Sequence, residues 1–267
     1  MKRDANIVAL IEKYQSLNLS DIIHHDKFLH YALTFHSTAI EGSTLTEIEI
    51  RLLLDEGITP GGKPLEHSQM VKDHYDALRF TLEQAQSNIP LSAELVQQIN
   101  AHVMKTTGST YHTILGDIDA AKGAYRKGNV SAGGHYFVAY DKVPSLTKQL
   151  AEGIQTHLEP ATRLEEKLQL AFKVHYELVT IHPFYDGNGR TSRLLMNFVL
   201  ERFGLPLCIL YKEDKTLYYE ALQKGQQQGD QKPFFDFMYW QYEKHLQDEI
   251  TRAQGLNLTK PKKRRSL

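Results

Sequence analysis

The spacing of apolar residues along this 267-residue chain predicts a mostly helical protein. Apolar positions recur every three to four residues over most of its length, which is the period of an amphipathic helix. Ser20 and Ser92 are expected to be N-caps, Thr44 with Glu47 a capping box, and Gly57 a helix end. Helices are predicted over residues 20–42, 44–57, 66–86, 92–106, 145–157, 162–181, 191–204, 215–228 and 233–253.

The helical period fails between residues 106 and 144, where glycine and tyrosine are frequent. Such a composition favours turns and short strands over helix. The pattern as a whole therefore predicts an all-α helical bundle with a short β-hairpin between two of its helices.

Charge and cysteine content narrow the classes of function. The net charge is −1, so no global field favours nucleic acid or an anionic membrane, and a nucleic-acid-binding module is unsupported. Residues 260–267, KPKKRRSL, are interpreted as a solvated basic tail, with a targeting or acidic-partner signal as the alternative. Cys208 is the single cysteine, which fits a reducing compartment. No segment has the length of a membrane span or the features of a signal peptide, and a soluble cytoplasmic protein is expected.

The segment HPFYDGNGRTSR, which joins two predicted helices, concentrates residues suited to phosphate chemistry. Gly187, Asn188 and Gly189 fall at the N-terminus of the second helix, where backbone N–H groups are unpaired and favour an anion. Arg190 and Arg193 lie one turn apart on that helix. Two guanidinium groups beside an anion-binding turn suit an oligophosphate, although the segment is not a P-loop.

An acid and a histidine complete the segment. Asp186 precedes the glycine turn and is a candidate ligand for Mg²⁺, which commonly takes one or two carboxylates and completes its shell with phosphate oxygens and water. The alternative for Asp186 is a purely structural role, as an acid at a helix N-terminus that the helix dipole stabilises. His182 can accept a proton from a hydroxyl near neutral pH. Phe184 is expected to be an apolar anchor. Attack of a hydroxyl on a phosphate, with His182 as base, is the chemistry that this spacing favours.

The segment resembles the Fic family signature H-x-F-x-[DE]-G-N-G-R-x-x-R at every fixed position. The resemblance implies an all-α Fic fold with a β-hairpin flap, and transfer of AMP from ATP to a Ser, Thr or Tyr hydroxyl of a protein. It implies His182 as general base and Asp186 as magnesium ligand. Gly187, Asn188 and Gly189 would form the anion hole, with Arg190 and Arg193 as phosphate contacts.

Two further segments match the family pattern less strongly. Ala132, Gly133, Gly134 and His135 resemble the flap beside the nucleotide, whose backbone could pair with an extended target segment. Tyr218 and Tyr219 resemble the tyrosine pair near the adenosine. Composition alone leaves these tyrosines equally compatible with a core or surface position.

The upstream segment STAIEG resembles the inhibitory helix of N-terminally inhibited Fic proteins. Ser37 and Glu41 are four residues apart and share a helical face, and Gly42 follows. A carboxylate at a helix C-terminus is disfavoured by the helix dipole, so a cationic partner would compensate. The resemblance implies that Glu41 pairs with Arg193 and inhibits transfer. A solvated glutamate is the alternative.

The expected organisation is an N-terminal extension over residues 1–65, a Fic domain over 66–247 and a C-terminal helix end with the basic tail over 248–267. Mg²⁺ is the expected cofactor, ATP the substrate and an unidentified protein the target, while self-modification and a homodimer are left open. Alternatives are AMP removal or transfer of another phosphate-bearing group on the same fold, and a nucleotide-sensing regulator with negligible catalysis.

Overall fold

The computed structural model describes residues 2–19, 24–132 and 134–259, and these ranges are mostly α-helical. The helices are α1 (Lys2–Ser16), α2 (His25–Ile40), α3 (Glu47–Glu56), α4 (Leu65–Gln86), α5 (Ala93–Val103), α6 (Val143–Leu158), α7 (Leu164–Ile181), α8 (Asn188–Arg202), α9 (Lys215–Gln228) and α10 (Lys232–Thr259). The prediction of an all-α bundle is confirmed. Among the described residues no helix has the length and apolar character needed to cross a membrane.

Two antiparallel hairpins lie between α5 and α6, where the sequence predicted one. Strand β1 (Thr110–Thr113) pairs with β2 (Gly116–Asp119), and β3 (Ser131–Ala132) pairs with β4 (His135–Tyr136). The second hairpin falls on the segment expected to be the flap. The flap is defined as residues 128–138 without Gly133, which lies outside the described residues.

Helix α8 lies at the centre of the bundle and packs against α4, α5 and α7. Every residue from Arg190 to Leu200 is buried. A helix surrounded on all sides has little freedom to shift, because protein interiors are packed as densely as organic crystals. The first turn of α8, which begins the predicted anion site, is therefore held in place by the core.

Helix α3 begins two residues later than the sequence predicted. The capping box is formed by Thr46 and Glu49, and the expected pair of Thr44 and Glu47 is wrong. The backbone N–H of Thr44 instead donates to Nδ1 of His67, at 3.2 Å. Both pairs have the same T-x-x-E spacing, and contacts from distant residues distinguish them, since Lys63 also binds the carbonyl of Thr44 and the carboxylate of Glu49.

Other boundaries agree more closely with the sequence. Ser92 caps α5 by accepting a hydrogen bond from the N–H of Leu95. Helix α9 has the predicted bounds, and α10 runs beyond the predicted residue 253. The N-cap expected at Ser20 and the basic tail over residues 260–267 lie outside the described residues.

Candidate active site

The motif segment forms a tight loop between α7 and α8. Helix α7 ends at Ile181, and His182 follows in the left-handed region, with φ of 53°. Such a conformation is uncommon for a residue with a side chain and is often found where function demands it. Burial lowers the pKa of His182 to about 4, with a smaller contribution from the guanidinium of Arg126, although the carbonyl of Val179 acts in the opposite direction. The ring is therefore neutral at pH 7 and able to accept a proton.

The loop is closed by a side chain that sequence analysis assigned to the anion hole. The amide of Asn188 accepts from the N–H of Phe184 at 3.0 Å and donates to its carbonyl at 2.9 Å. Phe184 itself is 1% exposed, as expected of an apolar anchor. The Asn188 side chain thus holds the loop together, and its contribution to an anion site would come from its backbone at the start of α8.

The two motif glycines have close neighbours. Gly187 has φ of 79°, and an added Cβ would lie 2.7 Å from Nδ2 of Asn100. At Gly189 an added Cβ would lie 2.6 Å from Oε1 of Glu41. Gly187 is favoured by its left-handed backbone as well as by this contact. At Gly189 a larger residue would push the carboxylate of Glu41 away from its present position. The second contact also places the carboxylate of Glu41 directly over the first turn of α8.

Asp186 is half exposed and lies at the mouth of the loop. Its Oδ1 accepts from the N–H of Gly187 and lies 3.2 Å from Nη2 of Arg190. Among the described residues, no group of three or more His, Cys, Asp and Glu side chains could hold a metal ion. One carboxylate at an open position does fit Mg²⁺, because this ion takes most of its remaining ligands from phosphate and water.

Arg190 is buried with few partners. Its Nη2 also lies 3.4 Å from Sδ of Met104, whereas Nε and Nη1 have no hydrogen-bond partner among the described residues. A buried guanidinium with unpaired N–H groups is costly unless an anion completes it. Arg190 therefore has unpaired donors that an anion would satisfy.

Arg193, by contrast, is paired with α2. Its Nη2 donates to Oε1 of Glu41 at 2.7 Å and to the carbonyl of Ser37 at 3.0 Å, and its Nε donates to Oγ of Ser37 at 2.8 Å. Glu41 is the C-cap of α2, immediately before Gly42. The pairing expected from the STAIEG segment is thus present in the geometry.

The electrostatics of Glu41 favour its charged form. Burial raises the pKa of this carboxyl. The guanidinium groups of Arg193 and Arg190 lower the pKa by more than burial raises it, so the net shift is downward. Glu41 is therefore an anion at neutral pH. It is paired with Arg193 and lies close enough to Arg190 for the two charges to interact.

The flap and the tyrosine pair are the two further segments that the family pattern singled out. Ala132 pairs with His135 in the flap, and Gly134 has φ of 78°. Tyr218 is 1% exposed, and its hydroxyl lies 3.0 Å from Nε2 of His175. Tyr219 is 44% exposed, so a ligand could reach this ring, whereas the buried ring of Tyr218 is not accessible to one.

Several residues that support the loop were missed by sequence analysis. Nδ2 of Asn100 donates to the carbonyl of Asp186 and to Oγ1 of Thr191, each at 3.1 Å. The ring of Phe137 stacks on His182 with centroids 3.9 Å apart. Arg126 donates to the carbonyl of His182. No sequence pattern distinguishes these three residues from others of the same type outside the motif.

Comparisons with known proteins agree with this geometry. Residues 90–200 match the model of the Fic/DOC family. A protein adenylyltransferase Fic of Drosophila virilis is 31% identical over 241 residues, covering 88% of this chain and 47% of the relative. That of Drosophila melanogaster is 33% identical over 213 residues, covering 79% of this chain and 40% of the relative. The chain therefore spans about half the length, or less, of these curated relatives.

Solved structures share the fold over nearly the whole chain. A Fic domain-containing signalling protein of Bacteroides thetaiotaomicron superposes with a TM-score of 0.79 at 26% identity, covering 94% of this chain and 97% of that one. Fic-1 of C. elegans superposes with a TM-score of 0.77 at 24% identity, covering 95% of this chain and 73% of that one.

Proposed function

We propose, because this chain belongs to the Fic/DOC family, that it is a protein adenylyltransferase acting on a Ser, Thr or Tyr hydroxyl of a target protein. The observation that carries the proposal is the motif loop itself. A neutral His182 lies in the loop before α8, with Asp186 on the same loop and Arg190 in the first turn of the helix. This arrangement offers a base, an open carboxylate and an anion site within one turn.

In the proposed reaction the target hydroxyl attacks the α-phosphorus of ATP. The new bond joins the hydroxyl oxygen to that phosphorus, and the bond to the bridging oxygen of the β-phosphate breaks, so that pyrophosphate leaves with the electron pair. The hydroxyl proton passes to the ring of His182. The backbone N–H groups at Asn188 and Gly189, together with Arg190 and Arg193, would hold phosphate oxygens.

Asp186 is the proposed holder of Mg²⁺, which would neutralise charge on the phosphate oxygens when bound. The carboxylate is half exposed beside Arg190, and this open position supports the role. Its contact with the N–H of Gly187 leaves it anchored at the edge of the anion site.

The adenosine is proposed to lie against Tyr219, with Tyr218 supporting that ring from the core. The two rings have centroids 5.1 Å apart, and both tyrosines are close enough to Glu41 and Arg193 for their charges to influence the tyrosine pKa values. The flap residues Ala132, Gly133, Gly134 and His135 are proposed to border the nucleotide and to pair with an extended segment of the target.

We further propose that Ser37, Glu41 and Gly42 keep the enzyme inhibited. With Nη2 of Arg193 bound to Glu41 and Ser37, and Nε bound to Ser37, only the buried Nη1 has no partner among the described residues. The arginine therefore cannot turn two donors toward the γ-phosphate at the same time. ATP could still enter through the anion site and Arg190, but its α-phosphate would not be aligned for attack. Positioning alone can be worth several kcal/mol of barrier, so misalignment is sufficient to suppress the rate.

Removal of AMP from a modified protein is the second candidate function. The observation that favours it is the carboxylate of Glu41, which lies over Gly189 inside the anion site and could orient a water molecule there. A regulator without catalysis is less well supported, because His182 and Asp186 are both present. The domain division at residues 65 and 247, self-modification, a homodimer and a cytoplasmic location remain predictions.

Labelled ATP distinguishes these functions. Glu41→Gly is incubated with a cell lysate and ATP carrying the label on either the α- or the γ-phosphate, with Glu41→Gly/His182→Ala as control. The proposal expects α-label on proteins only when His182 is present. Transfer of the γ-label alone would indicate phosphoryl transfer instead. Loss of AMP from a previously modified protein, fastest with wild type, would support removal.

A further inference from the structure

Arg126 is a buried arginine outside the motif, between β2 and β3. It is 1% exposed. Its Nε donates to the carbonyl of His182 and its Nη1 to the carbonyl of Gly128, both at 2.8 Å. Its Nη2 donates to the carbonyls of Val138 and Ile181. All of its hydrogen-bond partners in the described part of the chain are backbone carbonyls. A buried cation without a carboxylate is expensive to maintain, so its position calls for an explanation.

The four carbonyls belong to two separate segments. Gly128 and Val138 are the two ends of the flap, whereas Ile181 and His182 are the end of α7 and the start of the motif loop. One guanidinium therefore joins the two ends of the flap to each other. It also joins the flap to the loop that carries His182, the proposed general base. The backbone N–H of Arg126 adds a hydrogen bond to the carbonyl of Pro183, at 3.0 Å.

The same contacts fix the ring of His182. Phe137 stacks on this ring with an interplanar angle of 19°, and the next residue, Val138, is held by Arg126. The left-handed backbone of His182 persists only where its surroundings over-determine it. The hydrogen bond from Nε of Arg126 to the carbonyl of His182 is one such constraint, since it fixes the peptide plane that follows the ring.

We propose that Arg126 is a positioning residue that couples the order of the flap to the orientation of His182. The inference rests on the proposed function. Through Val138 and Phe137, a target segment that orders the flap would also fix the ring that accepts its proton. The positive charge of Arg126 adds a second effect, because it contributes to the lowered pKa of His182.

Hydrogen–deuterium exchange of the full-length chain without nucleotide tests the coupling directly. The variants are Arg126→Met, which keeps the volume and removes the donors, and Lys127→Met, a matched control at the exposed neighbouring cation. In Arg126→Met, amides of residues 134–138 and of 182 and 184–187 should exchange about tenfold faster together, while α8 stays protected. Lys127→Met should match wild type. Faster exchange in the flap alone, or in neither segment, would overturn the coupling.

Titration of the His182 ring by NMR gives a second readout, with His182→Asn to assign its signal. Arg126→Met should raise the pKa of His182 from about 4, whereas Lys127→Met should leave it in place. Arg126→Lys keeps the charge but cannot reach four carbonyls. If Arg126→Met loses its cooperative melting transition, hydrogen exchange of Arg126→Lys replaces it. A smaller loss of protection that affects both segments together supports the proposal. Protection equal to wild type in both segments contradicts it.

The activity arm uses the Glu41→Gly background. Arg126→Met should lower the turnover number for AMP incorporation about tenfold or more, with the Kd for ATP within about twofold. A purely structural role would change both or neither, and either result counts against positioning. If Glu41→Gly transfers no AMP, the proposed function fails, but exchange and titration still decide the role of Arg126.

Discussion

The α2 side and the flap side of the motif loop are held by different chemistry. On the α2 side Arg193 contacts the carboxylate of Glu41, at 2.7 Å. On the flap side Arg126 contacts only backbone carbonyls within the described ranges. An anion such as a triphosphate can compete with Glu41 for its cation, but it cannot replace four carbonyls around a buried guanidinium. The α2 contact is therefore suited to regulation, and the flap contact to fixed positioning.

Both sides hold the motif loop that carries His182, so removing this proposed base should have the largest effect. His182→Ala in the Glu41→Gly background should lower AMP transfer by about 10² to 10⁴-fold, the usual cost of losing a general base. ATP binding should change little, because the ring acts on the attacking hydroxyl. Isothermal titration and rates of AMP incorporation measure the two effects. Activity within tenfold of the parent would show that His182 is not the base.

Asp186 belongs to neither side, so its removal should leave both contacts intact. Asp186→Asn should weaken the apparent affinity for magnesium by about 10- to 100-fold or more, since even an outer-shell partner of a metal contributes that much. The dependence of the rate on Mg²⁺ concentration measures this. Full activity of the parent in excess chelator would contradict a metal requirement.

A milder change weakens the α2 side without removing its charge. Ser37→Ala deletes the acceptor for Nε of Arg193 and leaves Glu41 in place. A hydrogen bond to a charged guanidinium contributes up to about 3 kcal/mol. Because Nη2 of Arg193 stays bound to Glu41 and to the carbonyl of residue 37, transfer should rise by only about two- to tenfold over wild type. Initial rates compare the two proteins, with Ser43→Ala, a buried serine beyond the helix, as control. Equal rates for all three would mean that this hydrogen bond does not restrain Arg193.

The smallest effect expected is that of pH on the flap side. With the pKa of His182 at about 4, the rate of Glu41→Gly at saturating substrates should fall by less than about twofold between pH 8 and pH 5. An ordinary histidine, with a pKa near 6.5, would lose about 30-fold over this range. The same depressed pKa affects stability: the unfolded chain binds the extra proton between pH 6.5 and 4, so the folded state becomes less stable as pH falls through that window. A rate that falls with a pKa near 6.5 as the pH is lowered would contradict a buried neutral ring, provided that this fall is absent in His182→Ala.

Local sequence signals predicted most of the helices but not every boundary. Helix α9 has the bounds that the sequence predicted, residues 215–228, and Ser92 caps α5. The N-cap of α3 is Thr46 and not Thr44, because the N–H of Thr44 donates to His67 on α4. That competition lies 23 residues away along the chain, so no local pattern could have revealed it.

The candidate site was predictable to the extent that it lies within one segment. His182, Asp186 and the glycines are contiguous, and their chemistry follows from spacing. The pairing of Glu41 with Arg193 joins residues 152 apart and came only from the family resemblance. Arg126 had no signal, because an arginine in a glycine-rich loop is usually solvated, and its burial depends on three-dimensional packing.

The most direct test of inhibition by α2 is the rate of AMP incorporation for wild type, Glu41→Gly, Arg193→Ala and the double mutant on one substrate. A hydrogen bond to a charged group contributes about 1.5–3 kcal/mol, which corresponds to about 10- to 150-fold in an equilibrium. Glu41→Gly should therefore be about tenfold or more faster than wild type. Arg193→Ala and the double mutant should both stay slow, because they lose the proposed phosphate contact together with the proposed partner of Glu41. A rate for Glu41→Gly no higher than wild type, on a substrate that accepts AMP, would contradict the inhibitory role of Glu41.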